Sequence, residues 1–252
     1  MHNPMDLGGR AFLVTGASSG IGRETAVLLI RLGARLALAG RNAARLEATR
    51  AALEGTGHEL APLDLSCGDE IPAWLKTIAA RMGPLDGLAH AAGIQNLLPL
   101  KMVASRDIES VLQINVGAAV MLAKGFRQKG VHSERSSIVL LSSIMGLAGA
   151  SCRSLYSASK GAIVALTKSL ALELAGEKIR VNNVAPAYVQ TPMFDAVMNQ
   201  MGPESFEKLV AAHPLGIGRP LDVAYAIAYL LSDTGAWVTG TTLVVDGGYT
   251  AR

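Results

Sequence analysis

A short apolar run, a glycine-rich loop and a helical pattern follow one another near the start of the chain. The run Ala11–Thr15 has the length and composition of a buried strand. It leads directly into residues 16–22, GASSGIG, after which apolar residues recur at helical spacing up to Gly33. Glycines let such a turn tighten, and the helix that follows presents unpaired N–H groups to an anion. The order strand, glycine loop, helix therefore predicts an α/β unit with a phosphate-binding turn.

The same alternation of strand and helix continues along the chain. Strands are predicted near 11–15, 35–39, 59–63, 86–91, 137–142, 179–184 and 242–246, with longer helical patterns between them. No linker, repeat or charge block divides the 252 residues, of which 50% are hydrophobic. We therefore predict one α/β domain, residues 1–252, with a Rossmann-type doubly wound parallel sheet of about seven strands and helices on both faces.

Composition and charge exclude several classes of protein. The net charge of +3 comes from interspersed acids and bases, so the sequence offers no basic stripe for nucleic acid and no basic amphipathic helix for a membrane. No apolar run is long enough for a membrane span, and the polar start is unlike a signal peptide. Cys67 and Cys152 are expected to be free thiols in a cytoplasmic protein. The five histidines lack metal-ligand spacing, so we predict no metal site.

Tyr156 and Lys160 form a candidate acid–base pair. They lie four residues apart in a segment with a helical apolar pattern, which places both side chains on one face. A nearby ammonium lowers a tyrosine pKa from its reference of about 10, and a phenol tuned in this way exchanges protons with alcohols and ketones. Taken alone, the pair is more typical of two solvated side chains on a helix surface.

Together the two motifs resemble the short-chain dehydrogenase/reductase family. Thr15-Gly16-x-x-x-Gly20-x-Gly22 and Tyr156-x-x-x-Lys160 carry the resemblance, which covers about residues 8 to 250. Further matches follow in the family's order: Asp64-Leu65, Ala92-Gly93, Asn115, Ser142-Ser143, Arg180-Val181-Asn182, Pro186, Thr191 and Val245-Asp246-Gly247-Gly248. Within the family, the chain most resembles the 3-oxoacyl-carrier-protein reductases.

The resemblance implies four catalytic residues. Tyr156 would give a proton to the carbonyl oxygen or take one from the alcohol, and Ser143 would hydrogen-bond the same oxygen. Lys160 would lower the pKa of the tyrosine and bind the nicotinamide ribose. Asn115 would hold a water that links the lysine to solvent; a partly exposed helix residue is the alternative. Without the resemblance, Ser143 would be an ordinary turn residue.

The resemblance also implies a nicotinamide dinucleotide cofactor. The implied contacts are Gly16, Ser18, Ser19, Gly20, Ile21, Gly22, Asp64, Leu65, Ala92, Gly93, Tyr156, Lys160, Pro186, Val189 and Thr191. NAD enzymes of this fold usually carry an acid at the end of the second strand, but residues 39–42 contain none. Arg41 can instead grip a 2′-phosphate, so we predict NADP(H) in preference to NAD(H). The alternative for Arg41 is a solvated residue before the next helix.

The chain departs from the family's pattern in two places. His90-Ala91-Ala92-Gly93 stands where relatives usually have Asn-Asn-Ala-Gly, and Ala187 follows Pro186 where relatives have glycine. The hydrogen bonds of the asparagines must be replaced or lost. Neither departure involves the proton-transfer residues.

The substrate is predicted only as a small ketone or secondary alcohol. Residues 187–214 are expected to form a lid with a Met/Phe-rich set of side chains, and residues 1–8 a flexible extension. Candidate substrate contacts are Gln95, Met145, Arg153, Met193 and Phe194. Arg153, three residues before Tyr156, can clamp an anionic substrate; a solvent-facing loop arginine is the alternative.

Three other functions stay open. An NAD-dependent alcohol or sugar dehydrogenase would differ in cofactor and direction, and a scaffold protein would usually have lost Ser143, Tyr156 or Lys160. A carrier-protein substrate is possible but not favoured, because Leu172 stands where relatives carry a docking basic residue. The basic residues that remain as possible carrier contacts are Arg127, Lys129 and Arg135.

A homotetramer is predicted from two observations. The Tyr/Lys helix carries apolar groups on a second face, and the family that the chain resembles commonly forms tetramers through this helix.

Overall fold

A single parallel sheet organises the part of the chain that the computed structural model describes, residues 3–199 and 201–251. Its strands are β1 (Ala11–Thr15), β2 (Arg35–Gly40), β3 (Glu59–Pro62), β4 (Leu85–His90), β5 (His132–Leu141), β6 (Ile179–Pro186) and β7 (Thr242–Val245). They lie in the order β3-β2-β1-β4-β5-β6-β7, all parallel. The predicted sheet is confirmed.

Helices cover both faces of the sheet. They are α1 (Gly20–Arg31), α2 (Ala43–Ala51), α3 (Ile71–Met82), α4 (Ser105–Leu112), α5 (Ala118–Phe126), α6 (Ser154–Leu174), α7 (Pro192–Met198), α8 (Pro203–Ala211) and α9 (Pro220–Leu231). Side chains alternate along β1, so that Leu13 packs among α3, α5 and α6 while Phe12 and Val14 pack against α1 and α9. Two apolar cores result, one on each face.

One strand differs clearly from its predicted bounds. β5 begins at His132, five residues before the predicted start at 137. Its first residues are polar, so no apolar pattern marked them. His132 nevertheless pairs with Leu85, and the register between β4 and β5 shifts before Gly87. This irregular pairing extends the strand beyond its apolar segment.

The sheet order creates a crevice at the ends of β1 and β4. The chain winds outward from β1 to β2 and β3, and then returns to place β4 on the other side of β1. Loops that follow β1 and β4 consequently leave in opposite directions. Such a switch point, at the carboxyl ends of parallel strands, is where ligands bind in open α/β sheets.

The predicted flexible extension at residues 1–8 is partly wrong. Met1 and His2 lie outside the described residues, but Leu7 is fully buried and its N–H donates to the carbonyl of Leu32 at 2.7 Å. Met5 packs against the core beside α1 and α9. Burial of these apolar side chains fixes the segment to the domain. In the described chain, no helix has the length and apolarity that a membrane crossing needs.

Candidate active site

The glycine loop lies against the start of α1 with no room for side chains at two positions. Gly16 has a φ of 69°, and a Cβ there would lie 2.8 Å from the backbone nitrogen of Ala92. A Cβ on Gly22 would lie 2.4 Å from the carbonyl oxygen of Gly16. Ser19, which precedes the helix, makes no side-chain cap. The first N–H groups of a twelve-residue helix therefore face a cradle of bare backbone, which suits a pyrophosphate.

The predicted cofactor residues surround one continuous groove. Its outer part, the dinucleotide cleft, is lined by Gly16, Ser18, Ser19, Gly20, Ile21, Gly22, Arg41, Asp64, Leu65, Ala92, Gly93 and Thr191. The inner part, which we call the substrate pocket, is lined by Tyr156, Lys160, Pro186 and Val189. Ile21, Gly93 and Thr191 line both parts, so a dinucleotide in the cleft would reach the pocket.

Asp64 lies in the cleft wall and also forms a turn. Its carboxylate accepts hydrogen bonds from the backbone and the hydroxyl of Ser66, at 3.0 and 2.9 Å. These bonds lower the pKa of Asp64. The turn and the cleft-lining position coexist, so the turn does not argue against a cofactor contact.

The end of β2 places two arginines beside the cleft. Arg41 is exposed in the cleft wall, and Asn42 caps α2 by accepting from the N–H of Arg45 at 2.9 Å. The cap orients the first turn of α2, and Arg45 then lines the same cleft. Sequence reasoning missed Arg45. The available signal was its place in the first turn of the helix that directly follows Arg41 and the end of β2.

Ser143, Tyr156 and Lys160 converge where the cleft meets the pocket. Ser143 follows β5, is buried, accepts from the N–H of Met145 at 3.1 Å and donates to the carbonyl of Pro186 at 3.5 Å. It lies close enough to Tyr156 to exert a lowering effect on the pKa of that phenol. Lys160 Nζ donates to the carbonyl of Leu141 at 2.7 Å and lies 5.7 Å from the centre of the Tyr156 ring. A small molecule bound at this junction could contact all three side chains.

The prediction that Lys160 lowers the tyrosine pKa is not met in the ligand-free protein. Burial raises the pKa of Tyr156 above its ordinary value, against smaller lowering effects from Ser143 and the positive charge of Arg153. Burial also lowers the pKa of Lys160 to about 8. Burial is the largest influence on the pKa of both groups, and sequence spacing alone could not indicate it.

Asn115 is buried in a π-helical turn, Gln113–Gly117, between α4 and α5, so it is not the partly exposed helix residue considered above. Its amide nitrogen donates to the Ile94 carbonyl at 2.9 Å and to the Ser159 hydroxyl at 3.0 Å. Its amide oxygen accepts from the Ile94 N–H at 2.9 Å. Both amide hydrogens are used, so the side chain ties the segment after β4 to the Tyr/Lys helix.

His90 stands where relatives usually carry an asparagine, and it makes a hydrogen bond of its own between two strands. Its Nδ1 lies 2.8 Å from the hydroxyl of Thr15, the residue opposite it on β1, and that hydroxyl accepts from the Ala92 N–H at 3.3 Å. Burial, with a contribution from the charge of Lys160, lowers the pKa of His90 to about 3. A neutral imidazole therefore links the ends of β1 and β4 next to the dinucleotide cleft.

The candidate substrate residues meet in the inner pocket. Gln95, Met145, Arg153, Met193 and Phe194 all line it. Tyr188, at the start of the predicted lid, also lines the pocket and was not assigned a role from sequence. Within residues 187–214, the predicted lid, the pocket is lined by the segment before α7 and by α7 itself, whereas Phe206 on α8 does not line it. Gln200 lies outside the described residues.

Comparisons with known proteins find relatives along nearly the whole chain. The family model described as enoyl-(acyl carrier protein) reductase matches residues 16–250. A 3-oxoacyl-[acyl-carrier-protein] reductase from Rickettsia prowazekii is 35% identical over 97% of this chain and 98% of its own length. A cyclopentanol dehydrogenase from Comamonas is 34% identical over 96% and 98%. A crystal structure from Agrobacterium tumefaciens with bound NADP has a TM-score of 0.88 and 29% identity, covering 100% of both chains.

The fold and these relatives define an oxidoreductase that uses a nicotinamide dinucleotide. More particularly, the chain belongs to the short-chain dehydrogenase/reductase family. The resemblance drawn from the sequence is confirmed.

Proposed function

We propose that the protein transfers a hydride between NADP(H) and a small ketone or secondary alcohol, with Tyr156 as the general acid and base. The convergence of Ser143, Tyr156 and Lys160 at the junction of cleft and pocket carries this proposal. A carbonyl oxygen placed between Ser143 and Tyr156 would receive hydrogen bonds from both hydroxyls.

The protonation state of the tyrosine favours ketone reduction near neutral pH. The raised pKa of Tyr156 keeps the phenol protonated, which is the form that gives a proton to a carbonyl oxygen. When bound, the reduced nicotinamide supplies the hydride to the carbonyl carbon and leaves in its oxidised form. Tyr156 supplies the proton to the oxygen, so that a secondary alcohol results. Lys160, held by the Leu141 carbonyl, would bind the ribose and stabilise the phenolate that remains.

The preference for NADP(H) rests on the charges at the outer end of the cleft. Arg41 and Arg45 line this end, and residues 39–42 contain no acid that would repel a 2′-phosphate. Gly40 also lines it and adds no bulk. The NADP bound by the Agrobacterium tumefaciens structure supports this choice by analogy.

A carrier-protein substrate is the second candidate, supported by the Rickettsia prowazekii relative. The surface charges argue against it. Arg127 is paired with Glu177 and lies near Glu173, so its charge is already neutralised. Leu172 is exposed beside Glu173 and offers no basic contact. These surface residues therefore fit a free small-molecule substrate better than one attached to a carrier protein.

Nicotinamide absorbance over a panel of ketones and alcohols tests the proposal. The purified protein would be assayed with NADPH, NADH and their oxidised forms, at equal concentrations. We expect turnover of ketones with NADPH, at a higher kcat/KM than with NADH. Higher kcat/KM with NADH would favour an NAD-dependent alcohol or sugar dehydrogenase, and absence of turnover with every pair would favour a scaffold role.

A further inference from the structure

Arg153 is a buried cation in the wall of the substrate pocket. It directly precedes α6 and lies three positions before Tyr156, yet only 5% of its surface is exposed. The solvent-facing arginine considered from the sequence is therefore excluded. A guanidinium remains charged inside a protein, so its burial costs free energy unless a partner compensates.

The partner of Arg153 inside the protein is neutral. Nη1 donates to the amide oxygen of Gln95 at 2.9 Å, and the amide nitrogen of Gln95 donates to the Met193 carbonyl at 3.3 Å. Within residues 3–199 and 201–251 the arginine side chain has no other hydrogen bond and no ion pair, and no Asp or Glu lines the pocket. Gln95 thus fixes one end of the guanidinium and leaves its other donors for a ligand.

The surrounding walls hold the guanidinium in place and are largely apolar. Its carbon lies 5.5 Å from the centre of the Tyr188 ring, a cation–π distance. Tyr188 in turn packs edge-on against Phe194 and His213. Met145 and Phe194 complete this side of the pocket. In such surroundings an unpaired charge interacts strongly with an anion of the right size.

We propose that Arg153, positioned by Gln95, binds a carboxylate of the substrate, so that the substrates are short oxo acids and the corresponding hydroxy acids. The inference rests on the proposed function and names the substrate class of that site. Arg153 and Tyr156 line the same small pocket, so a substrate that contacts both has its carboxylate and its reacting carbonyl close together. Lys160, the other cation that lines the pocket, is held by the Leu141 carbonyl and assigned above to the ribose. A carboxylate carries the single charge that the Arg153 guanidinium neutralises, whereas a phosphate would keep a second charge in largely apolar surroundings.

Paired substrates test the proposal. We would measure kcat and KM with NADPH for pyruvate, acetoacetate and levulinate, each beside its methyl ester, in the wild type and in Arg153→Met. We expect the wild type to prefer at least one acid over its ester. Arg153→Met should raise KM for that acid by about 10- to 100-fold and change KM for the ester by less than about threefold. Arg153→Lys should recover part of the acid preference, since it restores the charge without the fork.

Two controls separate this proposal from a general effect of charge or folding. Arg31→Gln removes an exposed positive charge at the end of α1, far along the chain from the pocket, and should leave the acid-to-ester ratio unchanged. Retained ester turnover by Arg153→Met would show that the variant folds. Equal losses for acid and ester, or a wild type that prefers no acid over its ester, would overturn the proposal.

A binding measurement distinguishes failure of this proposal from failure of the proposed function. Tyr156→Phe removes the proton donor and keeps Arg153, so titration calorimetry of its NADP⁺ complex with the same acids reports binding without turnover. If the acids bind in a way that depends on Arg153 but the wild type reduces no ketone, the carboxylate site is retained and the proposed reductase activity is refuted. Ketone turnover without Arg153-dependent binding would retain the reductase and refute the site.

Discussion

The site depends on a few residues whose surroundings decide their chemistry. Sequence spacing correctly predicted that Tyr156 and Lys160 lie on one side of a helix, because two residues four positions apart always do so in α6. Spacing contained no information on burial, which raises the pKa of the tyrosine and lowers that of the lysine. It likewise could not show that Arg153 is buried, since that depends on Gln95 and Tyr188 from distant segments.

Replacing Tyr156 by phenylalanine should abolish most of the turnover. The substitution keeps the ring and removes the acid, so kcat should fall by roughly 10²- to 10⁴-fold while the Kd of NADPH stays nearly unchanged. Steady-state kinetics with deuterated NADPH would establish that chemistry limits the rate. Tyr225→Phe, on an exposed part of α9, is the matched control and should behave as the wild type. A Tyr156→Phe enzyme with most of the wild-type kcat would refute the assignment.

His90 should make the folded protein less stable as the pH falls. Its pKa is about 3 when folded and near 6.5 when unfolded, so between these values the unfolded chain binds the extra proton. The stabilisation is complete above pH 6.5 and is lost towards pH 3, at up to about 1.4 kcal/mol per pH unit.

Urea unfolding of the wild type and of His90→Asn, measured at several pH values between about 7.5 and 4.5, tests this. Asparagine can accept from or donate to Thr15 but does not titrate. The free energy of unfolding should therefore fall less steeply with decreasing pH in the variant. Identical slopes would mean that His90 takes up no proton on unfolding.

At the scale of elements, the sequence predicted what is periodic and missed what is not. Apolar runs and glycines indicated the strands and the turn into α1. The start of β5 is polar and was missed, because its pairing depends on an irregular register with β4. The π-helical turn at Asn115 interrupts an unbroken helical pattern and was missed, because apolar periodicity does not distinguish a single π-helical turn from an α-helix.

The start of α2 should determine which dinucleotide binds. Arg41→Ala should weaken NADPH by about 10- to 100-fold relative to NADH, because it removes charge-assisted hydrogen bonds to the 2′-phosphate. Arg45→Ala should act in the same direction. Arg50, also on α2 but paired with Glu47, does not line the cleft, so Arg50→Ala is the matched control. Fluorescence titration of both cofactors gives the ratio; a wild type that binds NADH more tightly than NADPH would contradict the prediction.

At the scale of the whole molecule, apolar side chains remain exposed on two separate surfaces. The first, the α4–α6 surface, has Ile108, Leu112 and Val120 at four- and eight-residue spacing and Leu172, which is 83% exposed, on α6. The second, the α9–β7 surface, lies around the edge strand of the sheet. Its exposed members are Tyr225, Tyr229, Trp237 and Val244. Exposed apolar groups in contiguous patches are typical of protein interfaces.

We predict a tetramer with two-fold axes, in which each of these two surfaces pairs with its own copy so that the assembly closes. Light scattering after gel filtration at micromolar concentration should give about four times the 26.2-kDa mass of the chain. Leu112→Glu together with Val120→Glu introduces like charges into the α4–α6 surface and should yield dimers held by the α9–β7 surface. Leu215→Glu changes a more exposed leucine outside both surfaces and should leave the tetramer intact. A monomeric wild type would rule out the assembly, and a tetramer unaffected by the double substitution would place its interfaces elsewhere.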